Sequence, residues 1–431
     1  MTAMVILIVL FVVMIGLIFL GVPISFSIGL SGLAIMTFFN MGVPFTLITA
    51  KTFAGMNSYT LMAIPFFILG GELMDRAGIT KMIVDLADSC VGFLKAGLSY
   101  VTVLSATLIS GLSGSGTADA AAIGSVLIPS MSRKGYTTEY AVALVTASCT
   151  LGPIIPPSTL FILYAYYTNV SIVSLFLAGI LPGIVIAVIL MITAKIVCAR
   201  KGFAQETSKF SIRYVGRAFA NGWVALVAPL AIIAALRFGW ATPTEGGVLI
   251  SIMAILVGLF YRTITSFRQI VDSIVAAAKG TCTVLALVGF SGIFADIMVR
   301  CHFQENVSKA VTNFAHTPLT VLVTLCVFLF ILGIFVDTTP MLIMFSAAFA
   351  GVAASYGIDL VHFGVIFVLI CMLGAVTPPV GGTLFIAAAI GKVSIMKCTP
   401  MLIPFIIALF IANIVLVLFP AISTWLPNLI L

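Results

Sequence analysis

Two short stretches place hydroxyls, a carboxylate and helix-breaking residues inside apolar sequence. Gly111 to Asp119 reads GLSGSGTAD, and Gly152 to Ser158, 41 residues on, reads GPIIPPS. The second half carries a matching pair, GIFVDTTP from Gly333 to Pro340 and GAVTPPVGGT from Gly374 to Thr383. A Pro-Pro pair removes two backbone donors and disfavours helix in the residue before it. In hydrocarbon each orphaned carbonyl or N–H costs several kcal/mol, unless it is buried in protein or lines a wet cavity. Unwound carbonyls, with the hydroxyls of Ser113, Ser115, Thr338, Thr339 and Thr377, can coordinate a cation such as Na⁺, while half-helix N-termini face an anion. Close packing of small residues would account for GLSGSG alone. It does not account for Pro-Pro at the same offset in both halves. The chemistry is binding.

The isolated charges come next, because an ionisable group inside a span is costly and a functional suspect by default. Arg300 follows LVGFSGIFADIMV, and Asp337 lies in the third break. An arginine fork binds a carboxylate bidentately; Asp337 could accept hydroxyls of a polyol or hold Arg300. The alternative is that Arg300 ends a helix at the interface beside Cys301 and His302. Asp119 is expected to cap the returning arm of the first break. Glu72, Asp75 and Arg76 end an apolar run and read as an interface facing a partner subunit. A Gly-x-Ser nucleophile would need a general base, yet Ser115 has Asp337 as its counterpart, so the shape repeats while the chemistry changes. No enzyme is expected. A channel would repeat one filter, whereas these paired breaks point to a single occluded site. His302, His316 and His362 lack ligand spacing, and the eight cysteines form no C-x-x-C pair and read as inert thiols.

These residues need elements to hold them. Of 431 residues, 62% are hydrophobic and 8% charged, with a mean hydropathy of +1.30, against roughly 25% charged residues in soluble domains. Apolar stretches recur at 4–20, 24–39, 172–197, 223–236, 247–261, 318–335 and 401–420. Each approaches the ~20 residues that a helical span needs, and none shows the alternation of barrel strands. The class is an all-α polytopic membrane protein. Six of the 20 Lys and Arg residues fall between Lys195 and Arg217, which makes that loop cytoplasmic by the positive-inside rule and leaves anionic lipid as its neighbour. Nucleic acid is not an expected partner.

Shifting the first half by 222 positions superimposes its backbone-shaping residues on the second. Gly111 meets Gly333, Gly135 meets Gly357, Gly152 meets Gly374, and Pro156-Pro157 meets Pro378-Pro379. The chain therefore divides into a first repeat, 1–199, a basic connecting segment, 200–222, and a second repeat, 223–431. Within the first, a hairpin is expected near 97–132 and a broken helix near 137–168. Within the second, the hairpin falls near 318–354, the broken helix near 358–392 and a final helix at 395–424. TPTE from Thr242 to Glu245 predicts a helix start, with Thr242 as N-cap, Pro243 at N1 and Glu245 closing a capping box.

GVPI at 21–24, IPFFILGGELM at 64–74, SGSGTADAAAIG at 113–124, GPIIPPS at 152–158, TPTEGG at 242–247 and GAVTPPVG at 374–381 together resemble the large membrane subunit of tripartite ATP-independent periplasmic (TRAP) transporters. The resemblance implies an elevator-type transporter of two inverted repeats, each with a re-entrant hairpin, divided into scaffold and transport domains. It implies Na⁺ as coupling ion, a separate small four-helix membrane subunit, a soluble periplasmic binding protein, and residence in the bacterial inner membrane. One implied Na⁺ site comprises Ser110, Ser113, Ser115, Gly152, Ile155 and Pro157; the other comprises Gly333, Thr338, Gly374, Thr377 and Val380. In sialic-acid members of the family an Arg and an Asp at the places of Arg300 and Asp337 belong to the substrate pocket. The leading substrate is thus sialic acid, with a C4-dicarboxylate or another organic acid next. A stand-alone organic-anion transporter of the same class, needing no binding protein, is the alternative.

Overall fold

A computed structural model describes residues 3–39, 44–203, 211–312, 315–378 and 381–431, which are helical with no strand among them. The first half contains α1 (Ala3–Phe19), α2 (Ile24–Phe38), α3 (Phe45–Met56), α4 (Ala63–Arg76), α5 (Ile79–Val91), α6 (Gly97–Ser113), α7 (Gly116–Arg133), α8 (Thr138–Ser148), α9 (Thr159–Thr168) and α10 (Ile172–Lys201). The second contains α11 (Ile212–Arg237), α12 (Pro243–Phe260), α13 (Phe267–Arg300), α14 (Phe303–Thr312), α15 (Pro318–Gly333), α16 (Thr338–Ser355), α17 (Leu360–Val376), α18 (Gly382–Gly391), α19 (Ile395–Leu418) and α20 (Ala421–Ile430). Among the described residues six helices are long and apolar enough to cross a membrane, or seven if the bent α3–α4 pair is one span.

The shift of 222 carries over to the elements. α7 begins at Gly116 and α16 at Thr338; α8 begins at Thr138 and α17 at Leu360. The halves part company where α3 and α4 meet at a 56° bend while the equivalent stretch is the single 34-residue α13. Asn57 leaves the helical region at ψ 73°, and Pro65, which lacks an N–H, sits in the first turn of α4, where that donor is not needed. Its counterpart is Leu287, and α13 runs on unbroken.

Local chemistry explains the other helix starts and stops. Thr242 Oγ1 accepts from the Glu245 N–H at 3.3 Å, and Glu245 Oε2 accepts from the Thr242 N–H at 2.6 Å. That reciprocal pair fixes the start of α12. The connecting segment is shorter than 200–222, because α11 already begins at Ile212 and takes in Arg213 and Arg217. Lys209 lies outside the described residues. The final helix ends at Leu418 rather than continuing to 424: Phe419 turns out of the helix and Pro420 is the N-cap of α20, which begins at Ala421.

Packing separates two groups. α12 lies on α4, and α13 lies on α2, α3 and α4. In the other group the hairpin α6–α7 packs on α8 and α10, the hairpin α15–α16 packs on α17, and α18 bridges α7 and α8. α17 is the core of this second group, with every residue from His362 to Val376 buried. Burying both broken helices this deeply keeps their unpaired backbone away from lipid.

Candidate functional site

The first hairpin turns at Gly114, whose φ of +60° suits glycine. α7 then starts with Ser115 as N-cap, its Oγ accepting from the Ala118 N–H at 3.5 Å. The cap is therefore Ser115, and Asp119 has a different task from the one expected. Asp119 is fully buried. Ser110 Oγ donates to its Oδ2 at 3.3 Å, and Ser113 Oγ donates to its Oδ1. Both hairpin arms thus converge on one carboxylate in the first turn of α7, where a helix N-terminus favours negative charge.

The break after α8 closes on the same point. A Cβ on Gly152 would lie 2.6 Å from Asp119 Oδ2 and 2.9 Å from the Gly116 nitrogen, so only glycine lets the two segments meet this closely. Thr159 Oγ1 donates to the Gly114 carbonyl at 3.1 Å, and the Pro157 carbonyl lies against Gly114. Of the first expected set, Ser110, Ser113, Ser115, Gly152 and Pro157 come together around the hairpin tip. Ile155 instead packs its side chain on Gly183 of α10, which leaves only its backbone near the break.

The second pair of breaks has the same outline and other chemistry. A Cβ on Gly374 would lie 2.6 Å from the Gly333 backbone, so α15 and α17 cross there through two glycines. Thr377 ends α17, its Oγ1 donating to the Leu373 carbonyl at 2.8 Å and its N–H to Gly374 at 2.9 Å. Thr338 Oγ1 has the Met372 Sδ at 3.5 Å, a weak acceptor. Asp337 holds the N-cap position of α16 without a side-chain capping bond. Val380 lies outside the described residues.

Two cavities adjoin the tips. The larger, about 650 Å³, lies between the α6–α7 hairpin and α4, α5 and α13, and takes in Ser113, Thr117 and Asp119. Glu72 and Asp75 line it as well, while Arg76 turns to Asp272 at 3.9 Å. The smaller, about 80 Å³, lies between the two hairpin tips and includes Asp337, Thr338 and Thr383. The cavities share Ser115, Thr117, Thr159 and Thr339. Asp337 is thereby brought to the first hairpin. Arg300 is not: its Nε donates to Asp296 Oδ2 at 2.7 Å, and Asp296 also holds Lys51 of α3.

Comparison with known proteins fits this architecture. The fold resembles the YdaH transporter of Alcanivorax borkumensis, with a TM-score of 0.65 at 11% identity over 88% of each chain. It also resembles Neisseria gonorrhoeae MtrF, with a TM-score of 0.55 at 15% identity over 86% of this chain and 82% of that one. These likenesses are of fold, and the class is a multi-pass helical membrane protein.

The family described as "Tripartite ATP-independent periplasmic transporter, DctM component" matches residues 11–422, and the chain belongs to it. The sialic acid TRAP transporter large permease protein SiaM of Vibrio cholerae is 32% identical over 418 residues, covering 96% of this chain and 97% of the relative. The 2,3-diketo-L-gulonate large permease YiaN of Escherichia coli is 33% identical (94% and 95% covered), and the C4-dicarboxylate large permease DctM of Pseudomonas aeruginosa is 31% identical (93% and 94%). The chain is a TRAP-type large permease of the bacterial inner membrane.

Proposed function

We propose that this permease drives uptake of an organic acid with an inward Na⁺ gradient, in an elevator movement of the hairpin-bearing group against the group built on α4, α12 and α13. It would act with a small four-helix membrane subunit and a periplasmic binding protein. The observation that carries the reading is the cluster of Ser110, Ser113, Asp119 and Gly152 at the edge of the 650 Å³ cavity. A buried carboxylate met by hydroxyls and the backbone of a broken helix has the oxygen chemistry that a hard cation requires. The second ion would use the Gly333–Gly374 crossing with Thr338, Thr377 and Val380.

The substrate would take Asp337 as hydroxyl acceptor, and Arg300 as carboxylate partner once it leaves Asp296. Sialic acid is the first substrate to test, in keeping with the name of the Vibrio cholerae relative. C4-dicarboxylates follow, in keeping with the Pseudomonas aeruginosa relative. The test is uptake of each labelled acid into proteoliposomes holding this chain and its small subunit, with the binding protein outside. Uptake that requires both the Na⁺ gradient and the binding protein supports the proposal. Uptake without the binding protein makes this a stand-alone transporter, and uptake indifferent to Na⁺ removes the coupling ion.

A further inference from the structure

We propose that Thr383 is a specificity-determining contact for the transported acid, its hydroxyl meeting an oxygen of the substrate in the small cavity between the hairpin tips. The proposal rests on the transport reading above and adds a residue to it. Thr383 lies in the first turn of α18 and is 2% exposed. Its Oγ1 is buried and has no hydrogen-bond partner among the described residues. A buried hydroxyl left unpaired is unfavourable and is ordinarily satisfied by protein, water or ligand. The same residue lines the 80 Å³ cavity.

The surroundings point to a ligand rather than to an idle side chain. Asp337 lines this cavity without capping its own helix, and its Oδ1 lies 3.7 Å from where a Cβ of Gly382, the neighbour of Thr383, would be. From the opposite wall the Thr383 methyl approaches within 3.5 Å of where a Cβ on Gly116 would be. The Thr383 side chain of one repeat therefore meets the hairpin tip of the other through its methyl, with the unpaired hydroxyl on the same Cβ. A water occupies about 30 Å³ of liquid volume, so the space suits a carboxylate or a hydroxymethyl group, not a whole sugar acid. The remainder of the substrate has the adjoining 650 Å³ cavity, reached past Ser115, Thr117, Thr159 and Thr339. A site built to hydrogen-bond a substrate oxygen discriminates against analogues lacking it far better than an apolar wall does. In the first repeat the position matching Thr383 is Phe161, fully buried, so nothing equivalent exists there.

The experiment compares wild type, Thr383→Val and Thr383→Ser in the same reconstituted complex, using labelled sialic acid and labelled succinate as probes. Valine keeps the shape and deletes a hydroxyl that has no protein partner, so the melting temperature should not fall. The expected result is a KM for the transported acid raised about tenfold, a half-saturating Na⁺ concentration unchanged, and recovery with serine. An unchanged KM overturns the proposal, and so does a shift confined to the Na⁺ dependence. If wild type takes up neither acid under a Na⁺ gradient, sialic acid and succinate are removed as substrates, and the Thr383 assignment made for them falls too.

Discussion

The tips of the two hairpins occupy matching places in the repeats and spend their polar groups in opposite ways. In the α6–α7 tip the Ser113 hydroxyl is donated to Asp119, the Ser110 hydroxyl is shared between Asp119 and the Ala106 carbonyl, and Ser115 caps α7. In the α15–α16 tip Asp337 caps nothing through its side chain, Thr338 faces a thioether and the nearby Thr383 hydroxyl is unpaired. One tip is closed on itself; the other has bonding capacity to offer. Duplicated backbone breaks supply the same scaffold twice, and the side chains then divide the work between an internally satisfied cluster and a site open to a ligand. The bent α3–α4 pair against the unbroken α13 is a second departure, and Lys51 of α3 pairs with Asp296 of α13.

Breaking the closed tip should have the largest effect. Asp119→Ala removes the hydrogen bonds that Ser110 and Ser113 make to its carboxyl group, and leaves a cavity where that group was. The expected outcome is a clear drop in melting temperature together with uptake below about a tenth of wild type, read by thermal unfolding and Na⁺-driven uptake. Gly374→Ala tests the second crossing, since its Cβ would lie 2.6 Å from the Gly333 backbone. Backbone on both sides leaves little room to yield, and overpacking of this kind costs ~1–3 kcal/mol. Thermal unfolding should show it, and a melting temperature equal to wild type would mean that α15 and α17 separate easily.

A smaller effect is expected where the two packing groups touch. Tyr166 donates to the Gly55 carbonyl of α3 at 3.0 Å, and Tyr167 hydrogen-bonds Ser291 of α13 at 3.0 Å. Tyr164, on the same helix, instead binds the Leu360 carbonyl at 2.9 Å, within the hairpin-bearing group. Removing both cross-group bonds with Tyr166→Phe and Tyr167→Phe should weaken this arrangement by ~1 kcal/mol per bond. Hydrogen exchange at α3 and α9 should rise several-fold, whereas Tyr164→Phe should leave exchange at α3 unchanged.

Much of this was legible in the residues. Proline and glycine act on the backbone locally, so the four breaks, the repeat and the Thr242–Glu245 capping box follow from spacing alone. What stayed hidden depends on contacts between distant segments. Asp119 looks like a cap because its first-turn position is visible, while its use by Ser110 and Ser113 depends on how the two arms fold together. Glu72 and Asp75 end an apolar run in the sequence, and only packing against the hairpin turns them toward a cavity. Asp296 stands four residues before Arg300, a readable helical pair, but Lys51 is 245 positions away. Thr383 looks like the flank of a proline break, and its unpaired hydroxyl is a property of the assembled tips.

The division of labour between the tips is tested most directly by thermal stabilisation of the purified membrane complex, titrated with Na⁺ and then, at saturating Na⁺, with the transported acid. Wild type, Asp119→Asn and Asp337→Asn would be compared. Both substitutions keep size and remove charge. The account expects Asp119→Asn to lose the first site's share of the Na⁺-dependent stabilisation, and Asp337→Asn to keep the full Na⁺ response while losing the response to the acid. An Asp119→Asn protein that still responds to Na⁺ like wild type would contradict the ion-site reading of the closed tip.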